Sequence, residues 1–137
     1  VDEMFKASDN DQKSVLEKFF KQPLDIRSKV KSFLDACSVL NIDSKSVFTS
    51  SDTKDEVAFK KLKVIIKALN EGWYPDWENS NEYKYWNWWR MKGGFSSYVT
   101  DYRHAATDVP SALCLKSNDL AVHCAKIALE EYKAYYI

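Results

Sequence analysis

The sequence predicts an α+β fold, a three-stranded antiparallel meander over residues 83–116 packed against α-helices that precede and follow it. Three observations lead there. Apolar residues recur at helical spacing on both sides of that region. The region itself is rich in tyrosine and tryptophan, which favour strands. Gly93-Gly94 and the Asp108–Pro110 link divide it into short segments, as in a meander.

Residues 1–24 read as a polar N-terminal extension holding one short helix, Gln12 to Lys21. Val15, Leu16, Phe19 and Phe20 form its apolar face, Asp9 or Asp11 caps it, and Pro23 stops it. Residues 25–137 read as a single α+β domain. Its first helix is expected from Asp25 to Leu40, with Ile26, Val30, Phe33, Leu34 and Cys37 as the buried stripe. Thr53 with Glu56 three residues later marks a capping box. The helix it opens buries Val57, Leu62, Ile65, Ile66 and Leu69, and Gly72 supplies the left-handed residue that ends it. Strands are expected at Tyr83–Met91, Phe95–Arg103 and Ala112–Leu115. The last helix starts at the N-cap Ser117 and runs to the C-terminus, with Ala121, Cys124, Ala125, Ala128 and Tyr132 on one face.

Bulk properties narrow the function classes. The 137 residues suit one domain, and 20 basic residues balance 20 acidic ones. A neutral chain is not a nonspecific DNA coat, whose affinity comes from neutralising many phosphates. The balance is uneven, because residues 83–104 carry four basic groups against Asp101 alone. Cys37, Cys114 and Cys124 are odd in number and lack Cys-x-x-Cys spacing, so neither a disulfide framework nor a zinc knot is expected. Free thiols point to a cytoplasmic setting. No apolar run reaches the roughly 18 residues of a membrane span, and no membrane partner, metal or cofactor is expected.

All five tryptophans fall between Trp73 and Trp89. Strand alternation places Tyr83, Tyr85, Asn87 and Trp89 on one face, and Lys84, Trp86, Trp88 and Arg90 on the other. Helices can cover one face. The other packs against residues 73–77 and the C-terminal tyrosine cluster, Tyr132, Tyr135 and Tyr136, or stays open as an interaction patch. Left open, Lys84, Trp86, Trp88 and Arg90 suit a partner protein, or single-stranded nucleic acid stacked on the indoles with phosphates on the cations. Trp73 and Trp77 flank the rigid Pro75-Asp76 turn, either as pins into the core or as a pocket rim. Enzyme signals are poor. His104 and Cys114 make a conceivable pair without a supporting motif. His123 and Cys124 are adjacent on a helix and point apart.

The stretch from Lys61 through Gly72-Trp73-Tyr74-Pro75-Asp76-Trp77 to Tyr83-Lys84-Tyr85-Trp86-Asn87-Trp88-Trp89 resembles a family of small uncharacterised proteins of gut Bacteroidetes, their phages and mobile elements. Phe33-Leu34-Asp35-Ala36-Cys37, Leu113-Cys114-Leu115-Lys116-Ser117 and Glu131-Tyr132-Lys133 resemble it as well. The resemblance covers residues 25–137. It implies a phage or mobile-element setting and brings no known activity, so no functional residue carries over. The expected role is a non-enzymatic accessory or protein-interaction module. The alternatives are a single-strand nucleic-acid binder and a small-molecule pocket protein or enzyme.

Overall fold

The computed structural model describes residues 25–95 and 98–137. The helix expected over 12–21 and the rest of the N-terminal extension lie outside the described residues. Within them the chain forms α1 (Ile26–Lys29), α2 (Phe33–Leu40), a 3-10 turn (Ser44–Val47), α3 (Lys54–Asn70), β1 (Lys84–Trp89), β2 (Tyr98–Arg103), a second 3-10 turn (Ser111–Leu113), α4 (Asn118–Ile127) and α5 (Leu129–Tyr136). The α+β class holds.

The helix expected over Asp25–Leu40 is two helices. Val30 is extended, and α2 restarts because Ser32 and Asp35 cap each other's turn. The Asp35 N–H donates to Ser32 Oγ at 3.1 Å, and the Asp35 carboxylate accepts from the Lys31 N–H at 2.9 Å. The interruption shifts the phase of the stripe. Ala36 takes an inner position, and Leu34, expected inside, is exposed. Asn41 ends α2 in the left-handed region, with the Ile42 N–H returning to Cys37 O at 2.9 Å.

Helix α3 follows its signals closely. Glu56 accepts from the Thr53 backbone N–H at 3.2 Å and from its hydroxyl at 2.7 Å. Leu62, Ile65, Ile66 and Leu69 are buried, while Val57, expected with them, is only half-buried and Ala58 takes the inner position. The left-handed exit spans both Glu71 and Gly72. This helix packs against α2 on one side and α5 on the other. The C-terminal helix is also divided, at Ala128, although the ladder bonds to Cys124 O and from the Tyr132 N–H persist at 2.9 Å. The kink lets α4 lie along the sheet while α5 turns onto α3. The expected face of Ala121, Cys124, Ala125, Ala128 and Tyr132 is buried throughout. Its small side chains let the α4 backbone approach β1. Asn87 Nδ2 donates to Ala121 O at 3.0 Å, and Asn87 Oδ1 accepts from Thr100 at 3.1 Å.

The three-stranded meander is not formed. The sheet has two antiparallel strands in register Lys84↔Arg103 through Trp89↔Tyr98. The Ala112–Leu115 segment spends its donors locally: the Leu113 N–H bonds Pro110 O at 2.9 Å and the Cys114 N–H bonds Ser111 O at 3.1 Å. Only Leu115 pairs, and it pairs with Tyr85 of β1 rather than with β2, through bonds of 3.0 and 2.7 Å. A meander needs its third strand beside the second. Here the outer edge of β2 is closed at Tyr102 by side chains from its own strand. The Tyr102 N–H donates to Asp101 Oδ1, and Tyr102 O accepts from Arg103, both at 2.7 Å.

On the far side of Leu115 the Asn70 side chain acts as a strand edge would. Its Nδ2 donates to Cys114 O at 2.9 Å and its Oδ1 accepts from the Lys116 N–H at 3.1 Å. Asn70 is 4% exposed, so truncation strands the buried Cys114 carbonyl and the partly buried Lys116 N–H. The substitution Asn70→Ala is expected to lower unfolding free energy by about 2–3 kcal/mol in urea denaturation. An effect within about 0.5 kcal/mol would show that water replaces the amide.

Candidate functional site

The six sequence-selected residues separate into two groups. Four of them, Trp73, Trp77, Lys84 and Trp86, build the fold. Two, Trp88 and Arg90, are exposed. The face that alternation assigns to Lys84, Trp86, Trp88 and Arg90 is therefore buried over its first half and open over its second.

Lys84 is fully buried, and each ammonium proton meets a main-chain carbonyl: Asn79 O at 2.9 Å, Glu82 O at 3.0 Å and His104 O at 2.8 Å. The Glu82 carboxylate lies 3.4 Å away, and the Trp77 ring centroid 5.2 Å away. No donor is left for a phosphate. Around this ammonium the two loop tryptophans are fixed as pins. Trp73 Nε1 donates to Glu82 at 3.3 Å, and Trp77 Nε1 to Ser111 Oγ at 2.9 Å. Burial by itself would raise the Glu82 carboxyl. The Asp76 N–H, the Trp73 indole and Lys84 outweigh it and hold the group below its ordinary value.

Trp86 is 1% exposed, so it offers no open stacking face. Its Nε1 has no hydrogen-bond partner among the described residues. Trp88, two residues on, is 50% exposed. Between them, along β1, lies a groove of about 250 Å³ bounded by Trp86, Trp88, Met91, Asp108, Val109 and Tyr136. Met91 is 48% exposed. Asp108 is exposed and makes no ion pair or hydrogen bond among the described residues. Asp108 and Val109 come from the link after β2, and Tyr136 from the end of α5. Sequence reading credited these three with no binding role: it offered Tyr136 only as packing for the strand's rings, and the fold alone brings Asp108 and Val109 beside Trp88.

A second aromatic surface lies on the opposite sheet face. Tyr83 stacks on His104 at 4.2 Å and 9°, and on Tyr102 at 5.3 Å, with Tyr83 and Tyr102 both about half exposed. His104 is thus occupied as a stacking partner. Cys114 is buried and bonded to Thr107 and Pro110 at 3.9 and 3.8 Å. Burial pushes its thiol up to about 11. Burial likewise raises Cys124 to about 12 and lifts Cys37. Such thiols stay protonated at neutral pH. His123 Nε2 lies 2.7 Å from Val30 O, bridging α4 to the break before α2. No group of three or more metal-ligating side chains occurs among the described residues, and no helix there is long and apolar enough to cross a membrane.

Two outcomes follow for the Lys84 cluster. The substitution Lys84→Met strands three carbonyls and is expected to cost about 3 kcal/mol in urea denaturation; a cost below about 1 kcal/mol would refute the pinning role. Because the Glu82 carboxyl is depressed in the fold, its stabilisation is complete above the ordinary glutamate value and lost as pH falls below it. Emission from Trp73 and Trp77 should therefore change with acid below about pH 4.5. In Glu82→Gln that acid step should disappear.

No family model, curated protein or solved structure matches the chain.

Proposed function

We propose that the protein is a small non-enzymatic accessory protein that docks a partner protein on the groove beside Trp88. One observation carries this reading. Trp88 is the one exposed tryptophan among the described residues, and it adjoins the half-exposed Met91 at a concave apolar surface. Tryptophan and methionine are enriched where proteins meet. A half-exposed indole leaves about 100 Å² in water, and covering it contributes about 2–3 kcal/mol to binding before the entropic cost of association. Three buried free cysteines support a reducing, cytoplasmic setting. The resemblance carried by residues 61–89 supports an accessory role in phage or mobile-element biology.

The test is site-specific photo-crosslinking in the native cells. A photoreactive residue at Met91 should give one discrete adduct. The adduct should be absent with the probe at Lys63 and lost when Trp88→Ala is added. An unchanged adduct in Trp88→Ala, or equal labelling from both positions, would sink the proposal.

A second reading, single-stranded nucleic-acid binding, is favoured by the exposed Tyr83 and Tyr102, stacked with the half-buried His104. It requires a salt-dependent change in tyrosine emission on adding an oligonucleotide, abolished in Tyr102→Ala. No change at low salt would remove it.

A further inference from the structure

The groove has a charge character that its tryptophan content conceals. Among its lining residues Asp108 is the only ionisable side chain near neutral pH, since the Tyr136 phenol is raised by burial. Asp108 has no cationic partner among the described residues. The remaining walls among the described residues are uncharged: Trp86, Asn87, Trp88, Trp89, Met91, Val109 and Tyr136. Aromatic faces attract cations through their quadrupole, most strongly where water is excluded. A carboxylate beside them adds attraction of the same sign.

At about 250 Å³ the space falls below the roughly 300–1,000 Å³ of cofactor and drug sites. It suits one long side chain.

We propose that the groove takes a basic side chain of the partner protein. The aliphatic stem lies along Met91 and Val109, and the charge lies at Asp108 beside the half-exposed Trp88 ring. Each part of such a side chain meets a wall of matching chemistry: apolar stem to apolar side chains, and cation to carboxylate and aromatic ring. This rests on the groove being the docking site, and it adds the chemistry of what docks there.

The test is a titration of the full chain with Nα-acetyl-lysine amide and Nα-acetyl-norleucine amide, which share a linear aliphatic stem and differ in charge. The indole N–H resonances of Trp88 and Trp86 are followed by NMR. The lysine amide should shift both saturably and bind about fivefold more tightly than the norleucine amide, in line with a cation–π contact at a partly exposed ring. Asp108→Asn, at an exposed position that leaves the fold intact, should bring lysine down to the norleucine level. Equal binding of the two amides, or lysine binding unchanged in Asp108→Asn, would overturn the cationic preference while leaving an apolar docking groove. No saturable shift with either amide would overturn the side-chain pocket itself. The crosslink at Met91 decides separately whether this face docks a partner.

Discussion

The ammonium of Lys84 sits where water does not reach, and the region between α3 and the sheet is arranged around it. An ammonium has three protons to satisfy, and burial without acceptors would be prohibitive. The three acceptors are main-chain carbonyls at Asn79, Glu82 and His104, so one side chain ties the loop before β1 to the residue just beyond β2. Glu82 extends the tie to the Asp76 N–H and the Trp73 indole, and the Trp77 ring closes over the charge. The loop carries few other long-range hydrogen bonds. Its shape depends on this cluster, and so does the burial of the first half of β1.

The second half of β1 lies beyond this cluster and is open. Trp86 is buried and Trp88 is not, although both project from the same face. The segment that would have extended the sheet along β1 instead pairs only at Leu115, because the residues after Pro110 turn into a 3-10 helix. The sheet is left short beside Asn87 and Trp88, and the space is shared among the link residues Asp108 and Val109, Met91 and the last turn of α5. The groove is the residue of an incomplete strand. On the other edge, the side chains of Asp101 and Arg103 occupy the Tyr102 main chain and keep β2 from recruiting a strand there.

Local signals survived into the structure where they concern a few adjacent residues. Thr53 with Glu56, Ser117 at the start of α4, and the glycine after α3 are of this kind, since a cap is satisfied within its own turn. The face of small residues in α4 and α5 was legible for the same reason. Two continuous helices were expected where four occur, because periodicity does not register an interruption of one to three residues such as Val30–Ser32 before the second helix or Ala128 between the last two. Leu34 shows the consequence, an apolar residue that the unbroken pattern places inside and the broken one turns out.

By itself the sequence determined the α+β class, the position of β1, the parity of its side chains, and the concentration of aromatic surface in one segment. These follow from periods of 2 and 3.6 and from turn chemistry, all short in range. Only the tertiary structure decided which half of an alternating face is covered. It alone converted Lys84 from a candidate phosphate ligand into a buried tie, and it alone brought Asp108, Val109 and Tyr136 to Trp88. Coverage depends on contacts between residues 20 to 50 positions apart, and no local pattern encodes which of two equally apolar faces the rest of the chain will reach.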